Sequence, residues 1–435
     1  MNSEELLDCI PFISTTTDLA LADQYYREPT ICRITLQAED KLRHQISDSK
    51  FPLWVDPGVD GFFNILTGKQ SFQKYASKKK TSEKNLEAYN SRKQNKTLNK
   101  DEQKPGRARK IPWVEFFANY DEFQLLGETS FVKKPDKVHV YEMVSKLFEL
   151  CMDLNPEWLS VPQIPFNDGA EYNRINRELA EASLKWKTKA RCKCQFVLPA
   201  IFTHQRQTSG KTQWNKKITQ IEKCVNLSGA KVIWTVDSSL DDSSGQSPNE
   251  KRLSEMIRLH KHLNQVFQKQ KHVAGPYWAL NLVLWSRGLC NYPAVGLGNS
   301  YQYFIPGTET RPGKVRIPLS PLCRRAVASP PLKQWLLESK KKLNPSDREY
   351  KVFNNLLKDW RKYTNKDGAR ELLAMYYRRW FDDLRKVNPE GRSVALFQMF
   401  SSAFVVGSNL EPLPDSEKSR EPAKVAQQFM NNCLT

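Results

Sequence analysis

Long hydrophobic runs are what this chain of 435 residues lacks first. It has no stretch of about 18 apolar residues, so the sequence predicts no membrane span. The start, Met1-Asn2-Ser3-Glu4-Glu5, is acidic and lacks the basic-then-apolar pattern of a secretory signal. Nine cysteines are present, an odd number without regular spacing. That excludes a disulfide framework and fits reduced thiols in a cytoplasmic protein. Also missing are an internal repeat of about 20–50 residues and the glycine fingerprint of a dinucleotide-binding open sheet. Carboxylates are scarce: 48 Asp and Glu face 67 Lys and Arg, a formal charge of +19. A globular chain this basic points to a polyanionic partner, with nucleic acid first.

The composition, 39% hydrophobic, can bury a substantial core. Short apolar runs alternate with longer segments of helical spacing. The strand-like runs are residues 31–36, 52–56, 158–166, 196–202, 231–236, 275–282 and 292–298, with 315–319 as a last strand. Helical spacing covers residues 138–152, 172–187, 213–227 and 250–270. Strands without polar alternation are buried on both faces, as in parallel sheets flanked by helices. The reading is α/β: a (β/α)8 TIM-type barrel over residues 1–328, with a basic insertion at 69–110 and a C-terminal helical appendage. The appendage, residues 329–410, carries dense bases and four helices; residues 411–435 read as a loose tail.

The insertion holds 14 Lys and Arg against 4 Asp and Glu, about half of the charge excess. Poor in apolar residues, it reads as a mobile segment unable to fold alone. Lys78, Lys79, Lys80, Arg107, Arg109 and Lys110 are its candidate nucleic-acid contacts. Phe72, Tyr75 and Tyr89 lie among the bases and offer faces for unpaired bases to stack on. The plainer reading is a solvated insertion without a role.

In a barrel, residues far apart in sequence share the mouth at the strands' C-terminal ends. Asp56 with Asp60, Gln163, His204 with Gln205, and Asp237 with Ser238 stand at such ends. Two carboxylates, Asp56 and Asp237, are what substitution at an anomeric carbon needs: one attacks or stabilises the sugar carbon and the other moves a proton. Either can instead cap the next helix, in which case Asp241 and Asp242 take the place of Asp237. Gly296 and Gly298 end a strand where backbone amides can approach a flat or phosphorylated ligand, with Tyr301 and Tyr303 just beyond; a tight turn with core aromatics is the alternative. Cys192, Cys194, His204 and Cys224 could supply four zinc ligands, although buried free thiols explain the cysteines equally. No other cofactor is indicated.

The segment WVDPGVDGFF resembles the Asp-Ser-Gly-Gly-Phe/Tyr-Gln strand end of tRNA-guanine transglycosylases, with Asp56, Gly58 and Phe62 at the matching positions. The run AVGLG, residues 294–298, is similar to that family's glycine-rich turn, which holds the purine, and LSVPQIPF stands where the family reads the base, which makes Gln163 a base-reading candidate; His204, at its own strand end, is a further substrate-binding candidate. The likeness spans residues 50–310 and is closer to the DNA-guanine transglycosylases of 7-deazaguanine DNA-modification systems. It implies a barrel that replaces guanine in DNA or tRNA with a 7-deazaguanine through a covalent aspartyl-glycosyl intermediate, with Asp237 as nucleophile. The pattern departs from the family twice. No Asp lies between Asp242 and Asp347, where the family has its nucleophile after the glycine-rich turn, and the family's three close Cys with a later His are missing.

Base exchange on nucleic acid is therefore the leading expectation, alone or with a partner protein. A non-catalytic nucleic-acid-binding barrel and a barrel enzyme acting on a small molecule are the alternatives. Deleting residues 70–110 should leave the barrel folded and flatten the log-affinity against log-salt slope by about 0.9 for each duplex-DNA phosphate that the protein no longer neutralises. An unchanged slope in that titration removes the insertion as a contact surface.

Overall fold

In the computed structural model, eight short parallel strands close into a barrel in sequential order, β8 pairing back onto β1. The structure describes residues 9–26, 31–38, 40–49, 51–62, 72–95, 97, 104–105, 112–123, 133–203, 211–237, 250–297, 314–414, 417 and 420–433. The strands are β1 (Ile10–Ile13), β2 (Cys32–Thr35), β3 (Leu53–Asp56), β4 (Trp158–Ser160), β5 (Gln195–Phe202), β6 (Val232–Asp237), β7 (Lys271–Ala274) and β8 (Tyr292–Gly296). Outside them lie α1 (Thr16–Tyr25), α2 (Asp40–Ser47), α5 (Lys137–Met152), α6 (Ala170–Lys189), α7 (Lys211–Ser228), α8 (Glu250–Val266) and α9 (Leu280–Ser286). The insertion after β3 contributes α3 (Phe72–Gln94) and α4 (Pro112–Ala118). This is the expected α/β architecture.

Side chains alternate across the wall with period two, and the register fixes which face each occupies. Arg33 lies opposite Trp54, Trp54 opposite Trp158, and Phe12 opposite Gly296. These positions point into the bore. There the rings of Phe12, Trp54 and Trp234 meet edge to face at centroid distances of 5.4–5.7 Å. The indole N–H groups are satisfied: Trp54 Nε1 donates to Ser160 Oγ at 2.8 Å and Trp234 Nε1 to the Gly275 carbonyl at 2.6 Å.

Residues 275–282, read as a strand, are not one. Strand β7 ends at Ala274; a loop follows, and the apolar run from Leu280 forms helix α9. Every residue of α9 is buried, because it lies between β8 and two C-terminal helices. A helix covered on all sides loses the polar face that would mark its period, so sequence cannot tell it from a buried strand. Residues 316–319 form a strand, β9 (Arg316–Leu319), but it pairs antiparallel with β10 (Arg324–Val327) outside the barrel.

Helices α10 (Pro330–Lys341), α11 (Arg348–Lys358), α12 (Trp360–Tyr363), α13 (Lys366–Arg385), α14 (Arg392–Ser408) and α15 (Lys424–Cys433) complete the chain. The hairpin packs with α10, α11 and one side of α13 in a small second core containing Ile317, Leu319, Leu336, Phe353 and Leu372. The other side of α13 joins the barrel core through Leu373, Tyr377, Trp380 and Phe381. The tail is not loose: α15 buries Val425, Phe429 and Cys433 against α14, with the Phe400 and Phe429 rings stacked at 5.2 Å. No helix among the described residues is long and apolar enough to cross a membrane.

The insertion also departs from expectation, since residues 72–94 are helical. No Gly or Pro interrupts residues 69–104, and Lys, Glu, Gln, Ala, Leu and Arg are good helix formers. Local propensity thus supplies order that apolar burial does not. The insertion is anchored by an aromatic cluster, with Phe62 and Phe117 at 4.5 Å and Phe117 and Phe123 at 4.9 Å. Lys79 Nζ donates to Glu115 Oε1 at 3.0 Å, tying α3 to α4.

Between α8 and β7, His260 is fully buried and neither ring nitrogen finds a hydrogen-bond partner. Burial, with His272 alongside, pulls its pKa down to about 3. The unfolded chain therefore binds one more proton than the native state below about pH 6.5. Native stability present above that pH should fall by about 1.4 kcal/mol per pH unit on acidification toward pH 3 through this group. Denaturant titrations between pH 7 and 4 should show a shallower fall for His260→Leu; equal slopes would exclude the assignment.

Candidate functional site

At the C-terminal end of β3, Asp56 follows the apolar run Leu53-Trp54-Val55 and points into the bore, opposite Thr35. It is buried. Arg33, from the middle of β2, donates from Nε to Asp56 Oδ2 at 3.0 Å, and a second guanidinium nitrogen, Nη2, contacts the same oxygen. Oδ1 accepts the Gly58 N–H at 2.9 Å. Gly58 takes a left-handed conformation, φ 66°, which glycine adopts without penalty and which turns the chain sharply back over the carboxylate. Asp60 is buried in the same turn.

The Arg33 guanidinium lies 4.3 Å from the Phe12 ring centroid, 4.6 Å from Trp234 and 5.6 Å from Trp54. Among the described residues, three aromatic faces and one carboxylate thus surround this cation. Sequence reasoning did not single out Arg33, yet a signal existed: a lone charge in the run Cys-Arg-Ile-Thr, at the parity that faces inward.

Asp237 stands on the other face of the wall. Its register partner is Phe202, and the inward residues of β5 and β6 are Pro199 and Trp234. The carboxylate points outward beneath α8, where Arg252 Nη2 donates to Oδ2 at 2.6 Å and Arg252 Nη1 to Glu255 Oε2 at 2.9 Å. The Asp237 N–H donates to the Tyr277 hydroxyl at 2.9 Å. Burial, with Asp237 beside it, pushes the Tyr277 phenol well above its ordinary pKa, so that group stays neutral. The two carboxylates expected to share one bond therefore face opposite sides of the sheet. Asp237 anchors a helix to the barrel, a structural role.

Gln163 is buried beyond β4. Its Nε2 donates to the carbonyls of Pro162 (2.7 Å) and Asn176 (3.0 Å). Asn176 holds the Ile164 backbone through both N–H and C=O. Gln163 Oε1 has no hydrogen-bond partner, so one acceptor is spare while the amide nitrogen is committed to the α6 side. Gly296 lies in the bore. His204, Gln205, Ser238, Asp241, Asp242, Gly298, Tyr301, Tyr303, Arg107, Arg109 and Lys110 fall outside the described residues.

The zinc reading finds little support among the cysteines. Cys194 Sγ donates to the Pro156 carbonyl at 2.9 Å, and burial followed by the Cys192 thiol pushes it up to about 12. Cys224 sits on α7, where burial pushes it to about 12 as well. Among the described residues no group of three or more His, Cys, Asp or Glu could hold a metal, and His204, the fourth expected ligand, lies outside them.

A loop above the bore is held from the appendage. Ala279, with φ 57°, occupies a conformation that strains an L-residue. Its N–H donates to the Tyr377 hydroxyl at 2.7 Å, and that hydroxyl donates to the Tyr277 carbonyl at 2.8 Å. Trp278 packs on Tyr377 and Trp380 at 5.6 and 5.5 Å. The segment after β7 is thereby fixed by α13.

The buried Asp237–Arg252 pair has a measurable consequence. Asp237→Asn leaves a buried guanidinium with Glu255 as its remaining carboxylate among the described residues, and should cost about 3 kcal/mol, the low end for breaking a buried pair. Urea denaturation at neutral pH measures this directly; a change under about 1 kcal/mol would show that the pair does not hold α8.

No protein-family model, curated protein or solved structure matches this chain.

Proposed function

We propose that this chain binds nucleic acid across the insertion that leaves β3, and exchanges a guanine for a 7-deazaguanine at the barrel mouth. The observation that carries this reading is Asp56. It is the one of the two expected carboxylates on the inner face, and the basic insertion follows in the connection that leaves the same strand. Attack of an Asp56 oxygen on C1′ forms an acyl-glycosyl bond as the C1′–N9 bond breaks. The departing guanine takes a proton at its ring from Asp60, the second buried carboxylate of that turn. The incoming base then attacks C1′ through its ring nitrogen, returns a proton to Asp60 and frees Asp56. Forming the ester consumes the negative charge that Arg33 faces, and the three surrounding rings continue to stabilise the guanidinium. Oδ1, which accepts the Gly58 N–H, has a second lone pair for the attack.

Nucleic-acid binding without chemistry is the second reading. It is favoured by the sequestration of Asp237 and by the partners that occupy both Asp56 oxygens. A denaturation-resistant protein–nucleic acid adduct separates the two. Wild type incubated with DNA or tRNA should form it; Asp56→Asn should abolish it and lower exchange by roughly 10³-fold or more. Because Asp56→Asn strands Arg33, the double variant Arg33→Met/Asp56→Leu, which refills the bore with apolar groups, serves as a folded control. Binding with neither adduct nor exchange by wild type would establish the second reading.

A further inference from the structure

Over residues 76–94 helix α3 is exposed on most of its circumference. Among its described side chains only Lys79, Ser82, Leu86 and Tyr89 are half-buried. Their spacing of three, four and three residues places them on one face, turned toward the rest of the protein. Ser77, Lys80, Thr81, Lys84, Ala88 and Ser91 recur at helical spacing on the opposite face, which ends at Arg92; all are exposed. Glu87, seven residues from Lys80, borders this stripe on one side with Glu83 further round, and no bulky apolar group stands in it. It carries bases, small residues and hydroxyls.

From this pattern we infer that α3 is a docking helix for duplex DNA and lies with its outward stripe in the major groove; the inference rests on the nucleic-acid reading above. The positive stripe complements the phosphate backbone. Its small residues allow close approach, and its hydroxyls can bond phosphate oxygens or base edges. The helix is about 34 Å long, about the length of one turn of B-DNA. The B-form major groove admits an α-helix, whereas the A-form groove of duplex RNA is too narrow for one. Single strands are held by stacking on aromatic rings. The stripe offers none, since Tyr89 belongs to the protein-facing side. Lys79, paired with Glu115, also faces inward, so of the three consecutive lysines Lys80 is the one on the contact surface, with Lys84 nearer its centre.

Fluorescence anisotropy with the full chain tests this, using a labelled DNA duplex of about two helical turns, the same sequence as duplex RNA, and the single DNA strand. Duplex DNA should bind most tightly. Lys80→Ala/Lys84→Ala should flatten the log-affinity against log-salt slope by about 1.8 while leaving the thermal midpoint unchanged. Removing equal charge from the appendage, with Lys351→Ala/Lys358→Ala, should leave the slope unaltered. Equal weakening by both double variants, or single strand or duplex RNA binding as tightly as duplex DNA, overturns the assignment of α3. Failure to bind any nucleic acid overturns both this inference and the proposed function. Duplex binding without base exchange overturns only the proposed chemistry.

Discussion

Everything at the mouth of this barrel rests on one buried ion pair, Arg33 with Asp56, enclosed by Phe12, Trp54 and Trp234. Taking two charges out of water costs several kcal/mol per ion. Here the cost is offset by two guanidinium contacts on one carboxylate oxygen, a backbone N–H on the other, and three ring faces around the cation. The same rings lock edge to face and fill the bore. The barrel is therefore a packed core rather than a channel, and whatever ligand it takes must sit above this plug, among the loops.

Those loops are not independent of the C-terminal helices. Helix α13 has two apolar sides. One enters the barrel core, and the other enters the small core beneath the β9–β10 hairpin. Its Tyr377 hydroxyl bonds both backbone partners of the strained segment after β7. The appendage is thus a brace for the mouth, and a substitution far from Asp56, in α13 or its packing partners, can alter the shape of the site. Asp237 serves a comparable end from another direction, tying α8 to the wall through Arg252.

The barrel was legible in the alternation of short apolar runs with helical segments, because parallel strands buried on both faces and helices with one polar side leave distinct periods. Legibility failed where burial or exposure is complete. The run from Leu280, buried all round, gave no period and read as a strand. Helix α3, with only a narrow half-buried face, gave no apolar stripe and read as irregular, although its freedom from Gly and Pro was a usable signal. The segment from 424 to 433 read as loose because its few apolar residues, Val425, Ala426 and Phe429, have meaning only against α14, α8 and α9. Of the candidate site, the strand-end position of Asp56 and the glycine turn after it were readable. The role of Asp237 was not, because a carboxylate at a strand's end looks the same whichever face it occupies.

Sequence by itself determined the charge, the parallel α/β class and the location of the basic insertion, since composition and period are local properties. Tertiary structure alone decided which strand-end carboxylate faces the bore. One residue of parity sends a side chain to the opposite side of a sheet, and that parity is set by the closure of eight strands, from β1 at residue 10 to β8 at residue 296. It also decided that Arg33, a lone base in a short strand, meets Asp56, 23 residues away, inside a ring of aromatics drawn from three strands.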